Sequence, residues 1–146
     1  MIGCPRSGKS TFCKEWVKEE PMRIVVSGDD IRLATYGQRF NKLGENAVYH
    51  TLYVMIRALL LGGFTVLVDE TNSSEMSITR ILEIDSEAKP ILIDTSEEVC
   101  IERAIATNQK DLIPVIKQIR RNIDRLKAEG IDNVIKRLNK DIKERV

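Results

Sequence analysis

The chain has 146 residues, 42% hydrophobic, 31% charged and 5% aromatic, the size and balance of one folded domain and not of a disordered tail. A formal net charge of +1 gives the whole molecule no pull on polyanions, although eleven Lys and Arg against six Asp and Glu from Lys110 to Arg145 make the C-terminal quarter basic. Three cysteines, Cys4, Cys13 and Cys100, without CxxC spacing argue against a disulfide framework or a zinc site and for a reducing cytoplasm.

The chain opens on Gly3-Cys4-Pro5-Arg6-Ser7-Gly8-Lys9-Ser10, which satisfies G-x-x-x-x-G-K-[ST] and runs into helix-forming sequence from Lys9 to about Glu20, stopped by Pro21. Glycines at 3 and 8 let successive N–H groups converge on phosphate oxygens, and the helix adds its positive N-terminal end. The motif predicts a site for a nucleoside triphosphate, ATP, along Gly3 to Thr11. Lys9 would lie on the β- and γ-phosphates, and Ser10 would offer its hydroxyl to Mg²⁺. Cys4 reads as a small loop filler before it reads as a redox sensor. Only Met1 and Ile2 precede Gly3, so the central strand that normally leads into such a loop is expected either to begin upstream or to be stunted. No signal-peptide pattern stands at this end.

Apolar, β-branched runs at Arg23–Ser27, Thr65–Asp69 and Pro90–Asp94 read as buried parallel strands. Helical patterns lie between and after them, at Asp29–Tyr36, Glu45–Leu61, Ser74–Glu87, Ser96–Ala106, Pro114–Glu129 and from Ile131 onward. Val115, Ile116, Ile119, Ile123 and Leu126 should share one face. The alternation gives an α/β fold, a doubly wound parallel sheet flanked by helices, in a single domain spanning residues 1–146. The longest apolar stretch, Leu52–Val68, is broken by Arg57 and Gly62-Gly63, so no membrane span is expected. Oligomeric state is left open.

Asp29-Asp30-Ile31-Arg32 follows the first of these strands, at the sheet edge where ligands of such folds bind. There a carboxylate can accept the proton of an acceptor hydroxyl, with Arg32 one turn on; the same residues also suit a helix cap. Asp69, ending the next strand, suits Mg²⁺ near Ser10. Arg103 and Lys110 flank Thr107-Asn108-Gln109, a polar stretch fit for a lid whose cation stabilises a transferred phosphoryl group. His50 has no partner suggested by spacing.

Together GCPRSGKST, SGDDIR, VLVDETN and IERAIATN…IP resemble the 5′-kinase domain of phage-type polynucleotide kinase, a P-loop kinase family, in order and spacing over nearly the whole chain. The resemblance implies that Asp29 is general base on a polynucleotide 5′-hydroxyl, that Arg32 contacts the acceptor's 3′-phosphate and that Arg103 is a lid arginine. It implies ATP and Mg²⁺ as cofactors and a nucleic-acid 5′ end as partner. Three positions depart from the family: Arg6 replaces a usual glycine, either Asp69 or Glu70 is the equivalent acid, and Thr107 stands where a second lid arginine is expected. Related kinases of small hydroxyl compounds and zeta-toxin-like enzymes share the motif set, and a nucleotide-binding module with weak catalysis is a further alternative.

Overall fold

The computed structural model describes residues 1–40 and 42–145. The chain divides into two compact units, Met1–Lys9 with Thr71–Val146, and Ser10–Glu70.

In the Ser10–Glu70 unit, helix α1 (Lys9–Trp16) leads to strand β1 (Arg23–Ser27), helix α2 (Gly28–Tyr36), helix α3 (Glu45–Leu61) and strand β2 (Thr65–Asp69). β1 and β2 pair in parallel, Arg23 beside Thr65 through Ser27 beside Asp69. The same register step therefore ends both strands, and their C-terminal ends carry Ser27-Gly28-Asp29 and Asp69-Glu70 side by side. Val26, Ile31, Val48, Leu52, Ile56, Leu67 and Val68 are buried, with the helix and strand faces alternating as their apolar spacing predicts.

Helix α1 stops at Trp16, short of the expected Glu20. Arg23 explains the stop: its Nη1 donates to Trp16 O at 3.2 Å, its guanidinium lies 4.8 Å from the Trp16 ring centroid, and it pairs with Glu19 and Glu20. A cation on the last carbonyls ends a helix. At the other end of β1, Ser27 caps α2 by accepting from the Asp30 amide at 3.4 Å.

In the other unit, helix α4 (Glu75–Leu82), helix α5 (Glu97–Ala106), helix α6 (Ile113–Glu129) and helix α7 (Ile131–Glu144) enclose Ile2, Cys4, Ile78, Leu82, Cys100, Ala104, Ile116, Ile119, Ile123, Leu126, Val134 and Leu138. Ser74 and Ser96 cap α4 and α5 as expected, and Pro114 sits in the first turn of α6. Three expectations change. Helix α4 ends at Leu82 because Asp85 turns its carboxylate onto the Glu87 amide at 3.0 Å, a local bond that competes with further helix. Val115 is 44% exposed, off the α6 stripe by one position. Pro90–Asp94 forms one parallel bridge, Ile2 to Leu92, in place of a strand. Its partner gives a single ladder step, Ile2 N–H to Ile91 O and Ile93 N–H to Ile2 O, both 2.8 Å, before Gly3 leaves to bond Thr71 O. Among the described residues, no helix is long and apolar enough to cross a membrane.

Candidate active site

In the first unit the phosphate loop closes on itself. Ser7 N–H returns to Cys4 O at 3.2 Å, and Lys9 Nζ donates to Cys4 O at 2.7 Å and Gly3 O at 3.0 Å, spanning the loop's mouth. Arg6 at φ 65° and Gly8 at φ 104° are both left-handed. That accounts for the family's usual glycine: position 6 needs a conformation glycine adopts freely and arginine holds at a cost of about 1–2 kcal/mol.

Two side chains offset this strain by gripping the loop's carbonyls. Arg103, from α5, donates through Nη1 to Arg6 O at 3.1 Å, and Thr95 Oγ1 donates to Ser7 O at 2.7 Å. Ser7 Oγ is buried without a partner. A curled loop of amides, a lysine across its mouth and an orphaned buried hydroxyl fit a polyphosphate.

Cys4 is buried beside this loop, and burial, with Cys100 next, pushes its thiol up to about 11. It stays protonated and acts as filler. In the stretch expected to form a lid, Thr107 is the C-cap of α5 and its Oγ1 donates to Arg103 O at 2.8 Å.

In the second unit Ser10 Oγ donates to Asp69 Oδ2 at 3.1 Å. Asp69, and not Glu70, is therefore the acid that meets the motif serine. No cluster of three metal-binding His, Cys, Asp or Glu occurs among the described residues. The pair suits a cation that takes one or two protein oxygens and fills the rest of its shell with water and phosphate, as Mg²⁺ does.

Arg32 is buried and surrounded by acids. Its Nε and Nη2 fork onto Glu45 at 2.9 and 2.8 Å, and its Nη1 donates to Asp29 Oδ1 at 2.9 Å. Glu70 Oε1 lies 3.7 Å from the same Nη1, and the Tyr49 ring centroid is 5.7 Å from the guanidinium carbon. The hydrogen-bonded Glu45 raises the Arg32 pKa further, against burial. Asp29 keeps a side chain 65% exposed, so one oxygen is fixed and the other is open. Glu70 fills the space that Gly28 leaves: a Cβ there would stand 1.8 Å from Glu70 Oε1. Burial pushes the Glu70 carboxyl up to about 7, with Arg32 opposing.

Residues 1–128 match the family described as AAA domain. The chain belongs to the AAA domain family. Its P-loop kinase-like fold agrees with solved structures: it is similar, at 28% identity and TM-score 0.64 over 70% of this chain and 36% of that one, to a chain of the Pnkp1/Rnl/Hen1 complex. A chain of the Pnkp1/Rnl/Hen1 RNA repair complex matches at 23% identity and TM-score 0.75, over 88% of this chain and 44% of that one. The AAA domain thus spans less than half the length of either neighbour. No curated protein matches it.

Of the expected site residues, Gly3, Cys4, Pro5, Arg6, Ser7, Gly8, Lys9 and Arg103 lie in the first unit of this AAA domain, and Ser10, Thr11, Asp29, Arg32 and Asp69 in the second. Glu45 and Thr95 escaped notice in the sequence. Glu45 sits thirteen residues from Arg32, beyond any helical spacing; its signal is an acid opening an apolar helix. Thr95 follows an apolar run as many turn residues do. His50 is exposed on α3. Arg120 in the basic quarter is engaged with Asp94 at 2.7 Å and Asp124 at 2.5 Å, and Arg137 with Glu75 and Glu129, so these cations serve helix packing.

Proposed function

We propose that this AAA domain is a kinase that moves the terminal phosphoryl group of ATP to the 5′-hydroxyl of a polynucleotide, with residues 1–146 acting as one catalytic domain in the cytoplasm. The observation that carries the reading is the carboxylate of Asp29, exposed in the first turn of α2 just past β1 and held by an arginine that is itself locked on Glu45. A fixed carboxylate with one open oxygen is what a general base for a hydroxyl needs. The acceptor class is supported by the resemblance of SGDDIR and VLVDETN to polynucleotide kinases and by the 28% identity to a chain of the Pnkp1/Rnl/Hen1 complex.

In the reaction the acceptor's 5′-oxygen forms a bond to the γ-phosphorus, the bond from that phosphorus to the β,γ-bridging oxygen breaks, and ADP leaves. Asp29 takes the hydroxyl proton. Lys9 exchanges the carbonyls of Gly3 and Cys4 for β- and γ-phosphate oxygens, the loop from Gly3 to Thr11 donates its amides, and Arg103 neutralises charge on the transferred group. Ser10 and Asp69 would hold Mg²⁺, which supplies charge neutralisation between the phosphates. Arg32 positions Asp29; contact with an acceptor 3′-phosphate requires it to trade one of its carboxylates for the phosphate.

Labelled ATP and a panel of acceptors test the reading. Label on 5′-hydroxyl oligonucleotides, lost in Lys9→Ala, is the expected result. Label only on small hydroxyl compounds points to a small-molecule or zeta-toxin-like kinase, and ATP binding with no transfer to a nucleotide-binding module, in keeping with Thr107 at the second lid position.

A further inference from the structure

The connection from α2 to α3 carries two aromatic rings and two cations that the phosphoryl chemistry does not use. From Leu33 to Gly44 the sequence holds Tyr36, Arg39, Phe40 and Lys42 and no acid. Phe40 is 64% and Tyr36 38% exposed, and Arg39 and Lys42 are exposed in the same connection. In a chain with only 5% aromatics, rings left in water among cations have a recognisable use: bases stack on the rings while cations follow the phosphates.

The placement of Tyr36 is specific. A Cβ on Gly44 would stand 2.4 Å from Tyr36 Cζ, so the ring is seated on bare backbone and position 44 must stay glycine for it to sit there. Gly37, at φ 64°, ends α2 immediately after the tyrosine, turning the chain away from it. Tyr36 also follows Asp29 by seven residues on one helix. That is two turns, so both share a face, about 10 Å apart along the axis. A stacked strand advances about 3.4 Å per nucleotide, so a 5′-end at Asp29 brings the Tyr36 ring within the first three nucleotides.

We propose that Tyr36 and Phe40, flanked by Arg39 and Lys42, form a platform on which the bases of a single-stranded acceptor stack downstream of its 5′-hydroxyl. The platform rests on the polynucleotide reading and adds to it a preference for acceptors several nucleotides long. Charge complementarity selects a nucleic acid, because the charged residues of this connection, Arg39 and Lys42, are exposed cations and it holds no acid.

The test compares KM for a 5′-hydroxyl tetranucleotide with KM for a nucleoside 3′-monophosphate, using labelled ATP. Tyr36→Ala combined with Phe40→Ala should raise the ratio of the two by roughly tenfold or more, the scale of one lost stack. Tyr36→Phe, which keeps the ring, should leave the ratio near wild type. Phe40→Ala alone removes a side chain mostly in water, folds, and should raise the ratio by itself. An unchanged ratio in the double variant, with wild type active on the tetranucleotide, overturns the platform and leaves the kinase reading standing. A wild type that labels only small hydroxyl compounds overturns both. A dimer in solution that Phe40→Ala dissociates, with the ratio unmoved, reassigns the rings to self-association and overturns the platform.

Discussion

Arg32 donates to Asp29 Oδ1 at 2.9 Å from the next turn of α2, so the acid that opens this helix is aimed by a residue of the same helix. The aim is only as good as the anchor of Arg32, which lies on Glu45 at the start of α3. Asp29, Arg32 and Glu45 therefore form one relay, in which only the first member is mostly exposed.

The end of the relay should carry the chemistry. Asp29→Asn is expected to lower kcat by roughly 10²–10⁴-fold and to leave ATP affinity nearly unchanged. Asp30→Asn should do far less, since the hydrogen bond found for Asp30 runs from its backbone amide to Ser27. Steady-state kinetics on a 5′-hydroxyl oligonucleotide, with ATP binding by calorimetry, checks both; a larger loss at Asp30 assigns the base to the wrong residue.

The anchor should affect stability and rate together. Glu45→Gln removes a charged partner from a buried guanidinium, and hydrogen bonds to charged groups are worth about 1.5–3 kcal/mol. Melting temperature should fall by several degrees, and kcat should fall while KM for ATP holds. Glu45→Gln with wild-type kcat would separate Arg32 from the orientation of Asp29.

Glu70 predicts a pH dependence. Its folded pKa of about 7 lies above the ordinary 4.5, so the folded chain binds this proton more tightly than the unfolded one. The stability it contributes is complete below pH 4.5 and is lost as pH rises through about 7. Glu70→Gln keeps the neutral shape, so its melting temperature in Mg²⁺-free buffer should match wild type near pH 5 and gain on it by pH 8. A constant difference across that range would mean that Arg32 keeps Glu70 ionised throughout.

These carboxylates show what the sequence could and could not display. Each strand and helix that folds on its own spacing was legible, because apolar period and caps are local: β1, β2, α2 and α3 stand where their residues put them. Pro90–Asp94 has a strand's composition, but a strand also needs a partner, and pairing is not written in the segment itself. The phosphate loop was legible as a motif, and the choice between Asp69 and Glu70 was not, since two adjacent side chains at a strand end point to opposite sides. One reaches Ser10 and the other turns under Gly28 toward Arg32. The ion pairs of the basic quarter were illegible for the opposite reason: charge is visible in a sequence, and the acid that answers it across a fold is not.

Thr95 gives a prediction with no counterpart in the motifs. Its hydroxyl donates to Ser7 O at 2.7 Å, and Arg120 Nη1 reaches Thr95 O at 3.5 Å while holding Asp94 and Asp124. The loop's curvature is thus braced from outside, which matters because Arg6 sits in the left-handed region without a glycine's freedom. Thr95→Val keeps the side chain's shape and deletes the donor. The lost bond should cost about 1 kcal/mol, little of it in global stability, because the loop is a local element. The cost should appear where the curl is used: KM for ATP rises roughly threefold to tenfold while kcat on a saturating acceptor holds. Thr95→Ser, which retains the hydroxyl, should restore ATP affinity. Arg120→Ala should act differently, lowering melting temperature as it releases Asp94 and Asp124, so a Thr95→Val variant that melts early with unchanged KM for ATP would make Thr95 a packing residue and free the phosphate loop of its brace.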